Sequence, residues 1–170
     1  NGMFAFAIWD KEEKELFIAR DRLGIKPVYY HLTKSHLLFS SEIRPLLQSG
    51  LVEKKVNPES LADYLRYQTV HAPFTIIQDI LMLMPGHHMT VNLDGEAKIH
   101  PFWKLEDKKV NPELSDKNVI KTEIKSLLEA AVARRLVADV PFGAFLSGGI
   151  DSSAVVGLMS KKKKKKVKTF

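Results

Sequence analysis

The chain has no cysteine among its 170 residues. Disulfides, thiolate zinc sites and a cysteine nucleophile are therefore excluded within it, and this composition favours a cytoplasmic location. No apolar run approaches the roughly 20 residues that are needed to cross a bilayer, and no secretory signal opens the chain. The sequence therefore predicts no membrane partner.

The basic charge is local rather than general. The net charge of +6 comes from 26 Lys and Arg against 20 Asp and Glu, and one run of six lysines at 161–166 accounts for the whole excess. No aromatic residues interleave this run, as they do in surfaces that stack nucleic-acid bases. We therefore interpret the run as a solvated segment, and we predict no nucleic-acid partner.

The remaining composition is ordinary for a globular protein, with 45% hydrophobic and 27% charged residues. The length allows one medium domain or two small ones. An apolar segment begins at Met3, and residues 167–170 resemble the opening of a strand. Because natural domains usually end in polar, exposed tails, we expect an internal piece of a longer protein.

The pattern of apolar residues and turns in the first hundred residues predicts mostly β-sheet. Apolar residues at 3–9 and 16–19, joined by a charged segment, are typical of a hairpin. Both faces of the first strand are apolar, which predicts burial on both faces and makes Phe4, Phe6 and Trp9 core aromatics. Further elements are predicted as a strand pair at 28–31 and 37–40 and as a short helix at 42–48.

Cap and turn signals predict a helix that begins after Asn57 and a hairpin further along the chain. Asn57 is a preferred N-cap residue, and Pro58 suits the first position of a helix. Alternating apolar residues from Met89 to Leu93 predict a strand that returns after a two-residue hairpin loop, Asp94–Gly95. The histidines near this hairpin lack a metal-ligand spacing and are interpreted as ordinary strand or surface residues: His87, His88 and His100.

A change in composition divides the chain. The polar, proline-containing stretch 104–115 is predicted to be a linker between a first domain at 1–103 and a second at 116–170. The second domain should open with a helix at 116–138, because Ile120, Ile124 and Leu127 follow helical spacing. It should continue as a buried strand at 142–146, a loop at 147–153 and a helix at 154–160.

The loop from Ser147 to Ser153 is the most informative motif. Its adjacent glycines, Gly148 and Gly149, allow a sharp turn that exposes backbone N–H groups. The following helix adds free N–H groups and a positive dipole end, which together favour phosphate. Asp151 cannot itself attract phosphate, but it can hold Mg²⁺ that bridges to phosphate oxygens; alternatively, it caps the helix.

The segment Val140–Ser153 resembles the pyrophosphate loop of the ATP-pyrophosphatase superfamily. Four further segments resemble the glutaminase domain of glutamine-hydrolysing asparagine synthetases: Gly2–Asp10, Ala19–Tyr30, Phe39–Glu42 and Met84–His87. The resemblance implies the second half of an αββα Ntn-type glutaminase sandwich followed by the start of a doubly wound ATP-pyrophosphatase domain. On this interpretation the segment Arg20-Asp21-Arg22 has a structural role, as part of the scaffold and of the contact between the domains.

The same resemblance implies an ATP-dependent carbon–nitrogen ligase. Ammonia released from glutamine would convert aspartate to asparagine through β-aspartyl-AMP, with release of AMP and pyrophosphate. Two alternatives stay open: an amidotransferase that acts on another carboxylic acid, and another adenylating enzyme of the pyrophosphatase type. Residues 1–103 weigh against the second alternative, because a different adenylating enzyme would not carry this glutaminase half.

The resemblance also assigns site residues. The glutaminase cysteine and its partners are expected upstream of Asn1, so no catalytic residue is predicted and the 170 residues alone are expected to be inactive. Ser147, Gly148, Gly149, Asp151 and Ser152 would hold the phosphates of ATP, Asp151 would bind Mg²⁺, and the backbone at Phe145 would meet adenine. Expected partners are aspartate, glutamine and ATP, together with a second copy in a homodimer.

Overall fold

The computed structural model describes residues 2–107, 116–162 and 166–170. The chain divides into two compact units, Asn1–Lys108 and Lys109–Phe170. Most of the predicted linker, residues 108–115, and the centre of the lysine run, residues 163–165, lie outside the described residues.

Two antiparallel sheets form the first unit. One sheet has the strand order β1-β2-β6-β7, and the other has the order β4-β3-β5. The strands are β1 (Ala5–Asp10), β2 (Glu15–Arg20), β3 (Tyr29–Leu32), β4 (Leu37–Ser40), β5 (Leu81–Met82), β6 (His87–Asn92) and β7 (Ala97–Pro101). The two helices are α1 (Ile43–Gln48) and α2 (Pro58–Tyr67).

The strand pairs predicted from alternation are confirmed. In the first hairpin Ala7 lies opposite Ile18, and in the β3–β4 pair Tyr30 lies opposite Phe39. Four residues, 93–96, separate β6 from β7, rather than the predicted two. The Asn92 N–H donates to the Glu96 carbonyl across this loop, and glycine at position 95 permits the positive φ of 79° that such a loop requires.

Apolar residues of both sheets fill the space between them. One core cluster joins Ile18 of β2, Tyr30 of β3 and Met89 of β6. A second cluster joins the opposite face of β3, through Tyr29, to Leu46 and its neighbours on α1. Adjacent residues of one strand thus enter different clusters, as the alternation of a strand requires, and the unit is layered as sheet, sheet and helix.

The prediction that β1 is buried on both faces is wrong. All six of its residues are exposed, and Phe6 and Trp9 keep 42% and 46% of their surface accessible, so neither is a core aromatic. The physical reason is that the core cluster between the sheets takes residues from β2, β3 and β6 but none from β1, which lies at the edge of its sheet. Phe4, half-buried, contacts Phe6 and Phe102 at ring-centroid distances of 5.5 and 6.5 Å.

Helix α2 begins as its cap signals predict. The side chain of Asn57 accepts hydrogen bonds from the backbone N–H groups of Glu59 and Ser60, at 3.0 and 3.2 Å. Pro58 follows as the first residue of α2, where its missing N–H leaves no unmet donor. The α1 prediction is confirmed to within one residue.

The second unit is a strand–helix–strand unit preceded by a helix. Its elements are α3 (Lys117–Arg135), β8 (Gly143–Ala144), α4 (Ile150–Lys162) and β9 (Lys168–Thr169), and β8 pairs in parallel with β9. Asp116 caps α3 by accepting the Asn118 N–H at 2.7 Å. The helix ends three residues before the predicted position 138, where the Leu136 N–H turns to the Ala133 carbonyl.

Burial in the second unit falls short of the prediction. The apolar stripe of α3 is largely exposed, and only Val132 and Met159 are buried among the described residues of this unit. The strand expected at 142–146 is two residues long and is not buried, because β8 pairs with β9 on one side only. None of the helices in the described parts of the chain has the length and apolar character that crossing a membrane requires.

Candidate functional site

The predicted phosphate loop lies between β8 and α4. Helix α4 begins at Ile150, so Asp151, Ser152 and Ser153 lie in its first turn and not in the loop, which corrects the predicted helix start at 154. The reason is the first intrahelical bond, in which the Ser153 N–H donates to the Gly149 carbonyl at 3.0 Å. The loop itself is the short segment Ser147–Gly149.

The loop is open at its turn. Gly148 has a φ of +80°, and an added Cβ there would meet no atom within 4 Å. The hydroxyls of Ser147 and Ser152 are 3.0 Å apart, and the Ser152 hydroxyl donates to the Gly149 carbonyl at 3.1 Å. Because the proton of this hydroxyl is engaged within the loop, a ligand would depend chiefly on backbone N–H donors.

The start of α4 supplies those donors. The N–H groups of Ile150, Asp151 and Ser152 precede the first intrahelical hydrogen bond, so the helix offers them no carbonyl partner. They point out of the positive end of the helix dipole, which attracts anions. The geometry is therefore suited to a phosphate group placed over Gly148 and Gly149.

Asp151 presents an exposed carboxylate in the first turn of α4. Gly149 accepts the first intrahelical bond, so Asp151 lies inside the helix and does not occupy the N-cap position. No group of three or more His, Asp or Glu side chains able to hold a metal occurs in the described residues. One carboxylate beside a loop that suits phosphate nevertheless fits Mg²⁺, which commonly takes one or two protein carboxylates together with phosphate oxygens and water.

Phe145 is 86% exposed and its ring lies 6.3 Å from that of Phe170. The ladder with β9 uses its neighbours: the Phe170 N–H donates to the Ala144 carbonyl, and the Leu146 N–H donates to the Phe170 carbonyl. In a parallel pair the backbone groups of the intervening residue point to the other edge. The structure thus leaves the Phe145 backbone facing away from β9, as a backbone contact with a base requires.

The Arg20-Asp21 pair is internal to the first unit. Asp21 is 1% exposed, and its carboxylate accepts four backbone hydrogen bonds at 2.9–3.3 Å, from Phe4, Leu23, Ile25 and Lys26. Arg20 donates to the carbonyls of Lys26, Leu83 and Gly24 at 2.6–2.8 Å. Both side chains therefore tie the segment after β2 to the start of β1 and to the segment before β6, which is a scaffold role.

Burial and hydrogen bonding oppose each other at these two groups. Burial by itself would raise the pKa of Asp21, but the backbone N–H groups of Lys26, Ile25, Leu23 and Phe4 outweigh it, and the pKa of Asp21 is lowered. Burial lowers the pKa of Arg20, opposed by the charges of Asp21 and Tyr29. Burial also raises the pKa of Tyr30.

The histidines near the β6–β7 hairpin lie in its strands. The His87 ring donates through Nδ1 to the Pro85 carbonyl at 2.8 Å. His88 lies directly opposite His100, with ring centroids 5.8 Å apart, and the His88 ring stacks on Phe17.

Sequence reasoning missed an apolar groove of about 480 Å³ beside α2. Its walls include Leu61 and Tyr64 of α2, Phe74 in the following segment and Met82 of β5. The helical spacing of Leu61 and Tyr64 marked an apolar face in the sequence, but spacing alone does not say whether that face is covered. In the structure both side chains stay exposed.

Two family profiles match the chain. The profile described as a glutamine amidotransferase domain matches residues 1–103, and the profile described as asparagine synthase matches residues 123–170. Together the matched ranges contain both the Arg20-Asp21 segment and the Ser147–Ser153 motif.

Several curated proteins are similar over most of the chain. Asparagine synthetase (glutamine-hydrolyzing) 3 of Bacillus subtilis is 38% identical over 93% of this chain and 25% of its own length. Amidase chry2 of Gibberella zeae is 37% identical over 94% of this chain and 23% of its own length. Asparagine synthetase (glutamine-hydrolyzing) 1 of Bacillus subtilis is 37% identical over 99% of this chain and 26% of its own length. The chain thus spans about a quarter of the length of these relatives.

Proposed function

We propose, from the premise that this chain belongs to the glutamine-hydrolysing asparagine synthetase family, that its second unit binds the phosphates of ATP for the activation of a carboxylic acid. The observation that carries the proposal is the open turn at Gly148 ahead of the unpaired N–H groups of α4. The overall reaction would be an ATP-dependent amidation that uses ammonia from glutamine.

The fold supports a division of labour between the two units. The two packed sheets of the first unit are consistent with the inner layers of an αββα Ntn-type glutaminase sandwich. The parallel β8–α4–β9 unit is consistent with the start of a doubly wound ATP-pyrophosphatase domain. On this proposal residues 1–103 belong to the glutaminase, residues 104–115 link it to the synthetase, and residues 116–170 begin the synthetase.

Each residue of the phosphate site has a separate role. The backbone around Gly148 and Gly149 contacts phosphate oxygens, and Ser147 and Ser152 shape the turn through their paired hydroxyls. Asp151 holds Mg²⁺, which when bound neutralises phosphate charge and favours departure of pyrophosphate. The backbone of Phe145 contacts adenine.

Aspartate is the proposed acceptor acid, with asparagine as product through β-aspartyl-AMP. A different carboxylic acid is the second candidate, because two similar proteins carry the names amidase chry2 and amidase chyE. Glutamine and ATP are the other small-molecule partners, and the protein is proposed to work as a cytoplasmic homodimer that binds neither nucleic acid nor membranes.

The chain by itself is proposed to be inactive as a synthetase. Thiol attack on the glutamine amide needs a cysteine, and the chain contains none. Incubation of the purified 170-residue chain with glutamine, aspartate and Mg-ATP should yield no asparagine above a protein-free blank. Detection of asparagine in that mixture would refute this part of the proposal.

Nucleotide binding is tested on the ¹⁵N-labelled chain by titration with Mg-ATP. We expect amide shifts at Gly148, Gly149 and Asp151, because the phosphates replace solvent at their N–H groups. The variant Ser152→Ala should weaken these shifts, whereas the matched control Ser160→Ala, at the other end of α4, should leave them unchanged. Shifts that avoid the loop, or that respond equally to both variants, would reject the site.

The metal role is tested separately with Asp151→Asn. If Asp151 holds Mg²⁺, the variant should lose the difference between titrations with and without Mg²⁺ and retain the Mg²⁺-independent shifts of the loop. An unchanged Mg²⁺ dependence would assign the metal to the nucleotide alone.

A further inference from the structure

Two histidines outside the phosphate loop lie on one face of the β3–β4 hairpin. His31 lies opposite Leu38 in the antiparallel register, so His36, two residues before Leu38, is its diagonal neighbour on the same face. Their ring centroids are 5.4 Å apart. The backbone register and the ring positions thus agree that the two imidazoles are adjacent.

His31 is buried, and one ring nitrogen is anchored. Its Nδ1 lies 2.8 Å from the Asp79 carbonyl, and a carbonyl only accepts hydrogen bonds, so Nδ1 carries the proton. The neutral ring therefore has its lone pair on Nε2. An Nδ1–H bond to a backbone carbonyl is the arrangement that orients metal-binding histidines in proteins.

His36 is anchored through the same nitrogen. Its Nδ1 lies 3.2 Å from the Thr33 hydroxyl and 3.0 Å from the Ser35 hydroxyl. The Thr33 hydroxyl donates its own proton to the His36 carbonyl, so its oxygen can accept the proton of Nδ1. On that tautomer Nε2 of His36 holds a lone pair.

The Nε2 atom of His36 is the unusual group. It is buried and has no hydrogen-bond partner, alone in this respect among the described side-chain nitrogens and oxygens. Leaving a buried polar atom unpaired destabilises the fold, so such an atom calls for a partner.

We propose that His31 and His36 form a binding site for a divalent transition-metal ion, with their Nε2 atoms as the two protein ligands and water in the remaining positions. Imidazole nitrogen suits Cu²⁺, Ni²⁺ and Zn²⁺, whereas Mg²⁺ and Ca²⁺ prefer oxygen. Cu²⁺ should bind more tightly than Ni²⁺ or Zn²⁺, following the general order for nitrogen ligands. This site is independent of the proposed ATP site.

The chain contains a matched pair for comparison. His88 and His100 are also cross-strand neighbours, 5.8 Å apart, but no hydrogen bond in the described structure anchors a nitrogen of either ring. The His36 anchors can also be removed without touching the ligands, by Ser35→Ala and Thr33→Val. Loss of such an orienting partner typically weakens metal binding about 10- to 100-fold.

The test is titration of the full chain with CuCl₂ and, separately, ZnCl₂, followed by calorimetry for both ions and, for diamagnetic Zn²⁺, by ¹⁵N shifts of the histidine rings. We expect one ion per chain, shifts at Nε2 of His31 and His36, and loss of that site in His36→Ala. The double variant His88→Ala/His100→Ala should retain it. Circular dichroism confirms that each variant is folded, and the wild-type shifts locate the ion even if His36→Ala does not fold.

The possible outcomes distinguish a metal ion at His31 and His36 from water at that place and from a metal ion at His88 and His100. Weakening by Ser35→Ala with retention in the double variant supports the site. Absence of binding at millimolar metal would leave water as the partner of His36 and would overturn the proposal. Binding that disappears in the double variant instead would assign the metal to His88 and His100, and would equally overturn it.

Discussion

Two polar segments that follow strands are used in opposite ways. At the end of β2, Arg20 and Asp21 turn inward, and every hydrogen bond that their side chains make in the described structure ends on the backbone of the same unit. After β8, Ser147–Gly149 and Asp151 stay at the surface, with backbone donors left unpaired at the start of α4. Each segment combines an aspartate with glycine, Asp21 with Gly24 and Asp151 with Gly148 and Gly149, so these residue types by themselves do not separate them.

The difference teaches how to distinguish a structural motif from a binding motif. A buried polar group whose hydrogen-bonding capacity is consumed by its own fold has nothing to offer a ligand, and its loss should be measured in stability. An exposed loop with open donors contributes little to stability, and its loss should be measured in binding. Substitutions in the two segments can therefore break or sharpen the comparison.

The largest effect is expected from Asp21→Ala. The substitution removes the acceptor of four buried backbone N–H groups, so we expect the free energy of unfolding to fall by about 3 kcal/mol or more. Urea unfolding followed by circular dichroism measures it. Asp10→Ala is the control, because exposed Asp10 also accepts two backbone hydrogen bonds yet should cost about 1 kcal/mol or less. Equal losses would mean that burial of the Asp21 network adds nothing.

A smaller loss is expected from Gly86→Ala. Gly86 has a φ of +68°, and an added Cβ would collide with the backbone carbonyl of Trp103. Gly50 has a similar φ of +75° but open space around it, so Gly50→Ala isolates the conformational term of about 1 kcal/mol. We expect Gly86→Ala to lower the urea midpoint clearly more than Gly50→Ala. Equal midpoints would show that the close contact with Trp103 relaxes freely.

The pH dependence follows from Asp21. Its pKa is lowered in the folded chain, so the unfolded chain binds the proton more readily. Its stabilisation is therefore complete above the unfolded pKa of about 3.9 and is lost as the pH falls through the folded pKa. Urea midpoints measured from pH 7 down to pH 2 should fall more steeply for the wild type than for Asp21→Asn. Parallel curves would contradict the assignment to Asp21.

The smallest effect on stability is expected in the phosphate loop. Asp151 is exposed and makes no recorded side-chain hydrogen bond or ion pair, so Asp151→Asn should change the free energy of unfolding by less than about 0.5 kcal/mol. The same urea experiment measures it beside Asp21→Ala. A fall of several kcal/mol in the free energy of unfolding would make the loop a structural element and would contradict the distinction between the two segments.

Local signals in the sequence predicted local structure well. The side chain of Asn57 caps α2 as expected, and the hairpin alternation gave the correct strand pairs. These features depend on neighbouring residues, whose spacing and hydrogen-bonding groups are visible in the sequence. The Ser147–Ser153 motif likewise lies at a strand-to-helix junction, although its last four residues belong to the helix.

Burial was the part that the sequence did not predict. Phe6 and Trp9 have the composition of core residues, yet they lie on an edge strand. The apolar stripe of α3 predicted its helical form but not its exposure. Which faces are covered depends on contacts between residues far apart in sequence, and periodicity carries no information about those contacts.

The amino-acid sequence by itself determined the strand and helix types, their caps and turns, and the motifs that indicate the family. Only the tertiary structure decided that the Asp21 carboxylate is engaged by backbone hydrogen bonds of its own unit, that the Asp151 carboxylate stays exposed, and that the rings of His31 and His36 lie side by side. The physical reason is that a side chain's chemistry is a property of the residue. Its availability is decided by which distant backbone and side-chain groups satisfy it, and that depends on the packing of the whole unit.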